Sequence, residues 1–116
     1  KDMNNTKVIE SDMVANNLEA AFPTHPGEIV KDELEYRGIS QRQFADQTGL
    51  ACSALNEILN GRRPITEKTA LLFEAALGIN AEPLLQMQMQ YNMRAMTKDK
   101  GFMQRLADIR RAVAVL

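Results

Sequence analysis

The sequence has no tryptophan, one cysteine, one histidine, and only four phenylalanines and two tyrosines among 116 residues. So few aromatics predict a core packed from aliphatic side chains. A lone thiol, Cys52, excludes an internal disulfide and suits a reducing cytoplasm. His25 is the only histidine and has no cysteine near it in sequence to share an ion with, so no metal site is expected. No run approaches the roughly 20 apolar residues that span a bilayer, which predicts no membrane partner. No basic-then-apolar leader opens the sequence. No glycine-rich phosphate cradle joins a strand to a helix, and no Ser/His/Asp or Cys/His set has plausible support. Neither an enzyme nor a cofactor is expected.

A chain of 116 residues suits one domain with an accessory segment. Its net charge of −1 is a weak argument against a nucleic-acid partner, but the charge is unevenly spread. Residues 1–36 set three lysines against eight carboxylates, a net −5, whereas residues 37–66 and 67–116 each carry +2. The acidic part faces either solvent or a basic partner, and the basic remainder is free to face phosphate.

Residues 1–23 are polar and irregular and read as an arm. Pro26 suits the first position of a helix, with Glu28 in its first turn, Ile29, Val30 and Leu34 on its buried side, and Gly38 at its end. Ser40 starts a second helix that buries Phe44 and Ala45 and stops at Gly49. A third places Leu55, Ile58 and Leu59 at i, i+3 and i+4, so that Ser53, Asn56, Glu57 and Asn60 face outward. Two short helices around one glycine turn, followed by Gly61-Arg62-Arg63, describe a helix-turn-helix reader of double-stranded DNA. Thr66 caps a fourth helix with Ala70, Leu71, Phe73, Ala76 and Leu77 facing the core, and Asn80 is placed to cap a fifth. That fifth helix, rich in methionine through Met96, is apolar on more than one side and predicts two burial surfaces. Beyond Lys98-Asp99-Lys100-Gly101 a sixth helix repeats Phe102, Leu106, Ile109 and Val113 on one side.

Four stretches resemble the HigA-type antitoxins of toxin–antitoxin modules, a branch of the lambda-repressor-like (XRE) helix-turn-helix proteins. They are His25-Pro26-Gly27-Glu28, Gly38-Ile39-Ser40-Gln41, the run Ile58-Leu59-Asn60-Gly61-Arg62-Arg63-Pro64-Ile65-Thr66, and Ala76-Leu77-Gly78-Ile79 leading to Leu85-Gln86-Met87-Gln88. The resemblance covers about residues 24 to 93 and is most specific from Leu59 to Thr66. It implies an all-α, lambda-repressor-like bundle of about five helices, with an N-terminal arm at 1–23, a DNA-binding domain at 24–96 and a C-terminal amphipathic helix at 97–116.

Candidate DNA contacts follow from residue chemistry. Asn56 can pair bidentately with adenine, and Ser53 can meet several bases. Asn60 reads either as a base contact or as the cap of its helix, and Arg62 and Arg63 reach phosphates from a loop. Gln41, by resemblance, donates its amide to phosphate or a base edge. Two positions depart from the family's pattern: Ala51 stands where a capping serine is common, leaving Cys52 or Ser53 to satisfy the free amides, and Glu57 stands where Arg or Lys is common. A carboxylate there repels phosphate, yet it can accept from cytosine. Cys52, at the start of the same helix, is a further candidate DNA contact, and it reads otherwise as a small helix-start residue or as a redox-sensitive thiol.

The resemblance implies a homodimeric repressor of its own operon that neutralises a small basic toxin, an mRNA-cleaving nuclease of the HigB/RelE type. The arm residues Glu10, Asp12, Glu19 and Phe22 are the candidate toxin contacts, and Met93, Phe102, Leu106 and Ile109 the candidate dimer contacts. The alternatives are a phage-type or general transcriptional regulator without a toxin, and a protein-interaction module that lost DNA binding through Glu57 and Ala51.

Overall fold

The computed structural model describes residues 24–115 as six helices, with no strand among them. We number them α1 (Pro26–Arg37), α2 (Gln41–Thr48), α3 (Cys52–Leu59), α4 (Glu67–Leu77), α5 (Ala81–Met96) and α6 (Lys100–Ala114). The chain divides into two compact units, of which one is His25–Asn92 and the other takes up the chain again at Met93.

In the first unit each helix contributes a narrow inward stripe. Val30 and Leu34 of α1 meet Leu55, Ile58 and Leu59 of α3, and Phe44 of α2 packs on Phe73 of α4 with ring centroids 5.5 Å apart. Both phenylalanines are fully buried, so these two rings sit at the centre of an otherwise aliphatic core, whereas Tyr36 stands in solvent. Arg37 reaches from the end of α1 to the last carbonyl of α4, donating to Leu77 O at 2.7 Å, and is held by Glu33 one turn back. A helix C-terminus is thereby satisfied by a cation from another helix.

The stripes are narrower than the periodicity predicts. Ile29 is 41% exposed, Leu71 is 57% exposed, and Ala76 also faces solvent. Each lies about 100° around its helix from a buried neighbour, and short helices in a small bundle bury only one side. The amide of Ala81 at the start of α5 donates to the Glu74 carboxylate at 3.0 Å, a partner supplied by α4 in place of Asn80. Ala81, Leu84 and Gln88 are the buried residues of α5, while Met89, Met93 and Met96 stand exposed. The second burial surface expected for this helix is absent among the described residues.

In the second unit, α6 starts at Asp99, whose side chain accepts from the Phe102 amide at 3.0 Å. Phe102 and Leu106 are half-buried, and Ile109 and Val113 are exposed.

Candidate nucleic-acid interface

A reciprocal capping box sets the start of α2: the Ser40 hydroxyl accepts from the Gln43 amide, and the Gln43 side chain accepts from the Ser40 amide at 2.9 Å. Gly49 ends α2 at φ 76°, a left-handed conformation that glycine adopts without steric cost. The chain turns there and re-enters a helix at Cys52. Ala51 gives α3 no side-chain cap, and Cys52 and Ser53 are both exposed beside it. The first-turn amides of α3 are thus left without the capping bond that a serine at position 51 would supply.

The outward side chains of this two-helix unit are tied to one another. Asn56 Nδ2 donates to Gln41 Oε1 at 3.1 Å, joining α3 to the first residue of α2. The remaining Asn56 N–H and its Oδ1 stay available as a donor and acceptor pair, the combination that reads adenine. Glu57 is bonded to Arg63, whose Nε lies 2.8 Å from Oε1. The carboxylate expected to repel phosphate is therefore partly neutralised by an arginine expected to bind it. The pair is solvent-exposed and worth no more than about 1 kcal/mol, so an incoming phosphate can compete for Arg63. Arg62 is exposed, with no carboxylate paired to it among the described residues, and its backbone amide donates to Glu57 O at 2.8 Å. Asn60 is the C-cap of α3, and its Nδ2 donates to Asn56 O at 2.8 Å. Gln41 and Asn56 thus form a linked pair with free polar ends, and Ser53 and Arg62 are exposed on α3 and the loop that follows it. Arg42, exposed next to Gln41, adds a cation that periodicity alone does not single out.

Behind this surface lies the only histidine. His25 is the N-cap of α1: its Nδ1 accepts from the Gly27 amide at 2.9 Å, and the residue is 3% exposed. Tyr91 of α5 meets the ring edge to face at 4.9 Å. The sequence pattern places His25 at a helix start but gives no sign of its burial. Burial holds the imidazole below its ordinary value, opposed by the nearby Glu28 carboxylate and by hydrogen bonding to the Arg63 backbone. Because Nδ1 is an acceptor, protonation would remove the cap. The unfolded ring takes up a proton near 6.5, whereas the folded ring resists, so the unfolded state binds more protons in between. The contribution of His25 to stability is therefore complete above that value and is lost as pH falls through the lowered folded-state value. Comparing urea midpoints at about pH 7.5 and about pH 5.5 should show this loss in the native chain. His25→Asn, which keeps a capping oxygen, should flatten it; an unchanged slope would remove His25 as its source.

The proposed arm contacts Glu10, Asp12, Glu19 and Phe22 lie outside the described residues. Met93, Phe102, Leu106 and Ile109 lie in the second unit. No group of three or more His, Cys, Asp or Glu among the described residues is placed to hold a metal ion, and no helix among them is long and apolar enough to cross a membrane.

The geometry from Ser40 to Leu59 is that of a helix-turn-helix, and the helix-turn-helix family matches residues 30–84. Virulence-associated protein I of Dichelobacter nodosus is 36% identical over 77 residues, which cover 66% of this chain and 71% of that one. An addiction module antidote protein of the HigA family from Coxiella burnetii shares 35% identity at a TM-score of 0.62, covering 68% of this chain and 87% of that one. Antitoxin HigA of Pseudomonas aeruginosa, solved with the higBA promoter, shares 26% identity at a TM-score of 0.63, over 68% and 87% of the two chains. The chain belongs to the HigA-type antidote family of helix-turn-helix regulators. Proteins of this family are regulators and not enzymes.

Proposed function

We propose that this chain is a sequence-specific DNA-binding antitoxin that represses its own operon in the cytoplasm and neutralises a small basic toxin of the HigB/RelE type. The observation that carries the DNA reading is the Asn56–Gln41 hydrogen bond, which presents two amides of adjoining helices as one unit. Asn56, Ser53 and Gln41 would face base edges, with Arg62 and, once released from Glu57, Arg63 on phosphates. Fluorescence anisotropy with the duplex upstream of its own reading frame, against a random duplex of equal length, tests it. Equal affinity for both at physiological salt would leave no sequence reader.

Glu57→Gln should release Arg63, raising affinity for the random duplex and narrowing the ratio between the two. Because the gain is electrostatic, it should shrink as salt rises. Loss of binding to the upstream duplex alone would instead make Glu57 a base-reading residue, and no change in either would place it away from DNA.

The toxin reading is supported by family membership and by charge. Glu28, Asp32 and Glu35 are exposed on α1, and a nuclease that grips RNA must itself be basic. Deleting residues 1–22 should spare DNA binding and weaken rescue of growth from the toxin. Full rescue would shift the contact to the α1 carboxylates. A homodimer would place two readers on two half-sites, with Met93, Phe102, Leu106 and Ile109 as its contacts. Sedimentation of the free protein at the mass of one chain would remove the dimer from this reading.

A further inference from the structure

The residues between α3 and α4 form an irregular loop that carries both candidate phosphate-binding arginines, and two buried polar side chains from distant parts of the chain meet it from inside. The His25 ring lies under its first turn, with Cβ and Cγ each 3.6 Å from the point where a Cβ on Gly61 would stand. The same ring is backed by Tyr91, and its Nδ1 is fixed by the Gly27 amide at 2.9 Å. At the other end, Gln88 is 5% exposed, and its Oε1 accepts from the Ile65 amide at 2.9 Å, while its Nε2 donates to Asn92 Oδ1 at 3.0 Å. Ile65 itself is buried. An apolar side chain would fill either place without the desolvation cost of a polar one. The amides of Gly61 and Arg62 are bonded back to the Ile58 and Glu57 carbonyls of α3; the His25 ring supports that turn from below, and Gln88 fixes the far end of the loop at Ile65.

We propose that His25 and Gln88 are positioning residues for nucleic-acid binding: they hold the Gly61–Ile65 backbone so that Arg62 and Arg63 stand in register with α3, although neither touches the DNA. The proposal rests on the DNA-binding function proposed for α2 and α3. A loop without these anchors still carries two guanidinium groups, but ordering them would then draw on the binding free energy. Affinity would fall although every DNA-facing residue is still present. Gln88→Met removes the acceptor for the Ile65 amide while keeping the length of the side chain. His25→Asn keeps the α1 cap and removes the ring beneath Gly61.

The test uses the full chain and the duplex upstream of its own reading frame, at a temperature where thermal melts show each variant folded. Both variants should bind about tenfold more weakly, and the slope of log affinity against log salt should become shallower by about 1 for each phosphate that an arginine no longer neutralises. A general loosening of the fold would give weaker binding too, so the deciding measurement is a cycle. In a chain already carrying Arg62→Ala and Arg63→Ala, adding Gln88→Met or His25→Asn should change affinity by less than about twofold. A full tenfold effect persisting in that background would overturn the proposal, as would unchanged affinity and salt slope in the single variants. If only one variant folds, its own cycle decides for that residue. A native chain that fails to bind the duplex would sink the DNA reading and this proposal with it, whereas native binding untouched by either variant would sink this proposal alone.

Discussion

Gly27→Ala is expected to destabilise the protein by about 3 kcal/mol, at the top of the range for overpacking. A Cβ on Gly27 would stand 1.9 Å from the Ile58 carbonyl oxygen and 2.9 Å from its carbon. Both atoms are backbone, so no rotamer change relieves the clash, and α1 must lift off α3. The helices touch nearly backbone to backbone there. For a domain of this size the loss corresponds to a fall in melting temperature of about 12 °C or more. Binding should suffer as well, because the Ile58 carbonyl also accepts the Gly61 amide at 3.1 Å and so starts the arginine loop. Gly101→Ala is the control: its Cβ would meet only Asp99 Oδ1 at 3.5 Å, an ordinary contact in a helix, and alanine there should be neutral or stabilising by up to about 1 kcal/mol. Thermal melts by circular dichroism measure both. A Gly27→Ala melt within about 2 °C of the native one would show that α1 and α3 are not in this close register.

The second large effect is expected at Asn56. Replacing it with alanine should cost about 1 to 3 kcal/mol of binding to the upstream duplex and leave the random duplex almost unaffected. The structure adds a coupling that composition and periodicity do not show. Asn56 also holds Gln41 through the 3.1 Å bond, so its loss frees a second amide. Gln41→Ala alone should cost less than Asn56→Ala, and the double variant should cost less than the two combined. Anisotropy titrations of the three variants at one salt concentration give the cycle. Strict additivity would separate the two amides, and an unchanged affinity for Asn56→Ala would remove α3 from the groove.

Much of the geometry of the candidate site was legible because it is written in local signals. Ser40, Thr66 and the glycines at 38, 49 and 78 mark helix ends within a residue or so of where the structure has them. The i, i+3, i+4 spacing of Leu55, Ile58 and Leu59 orients α3, and with it Ser53 and Asn56. Apolar residues next to a buried stripe were less legible. Ile29 and Leu71 look like core by composition and are exposed, because among the described residues no neighbouring helix reaches their side. Polar residues with an interior task were least legible. Gln88 stands among the methionines and glutamines of α5 with no signal of an interior role, and is a buried acceptor for the loop.

Local chemistry along the chain thus specifies the helices, their order, the glycine turn between α2 and α3 and the residues offered outward, since caps, turns and amphipathic spacing act over three or four positions. Which partner each versatile side chain takes is settled by the packed fold alone. Arg63 goes to Glu57 across 6 positions, Asn56 to Gln41 across 15, and the Ile65 amide to Gln88 across 23. Each of these groups has several possible hydrogen-bond partners of nearly equal energy in an open chain, and the choice among them is made by which atoms the packed core brings within about 3 Å.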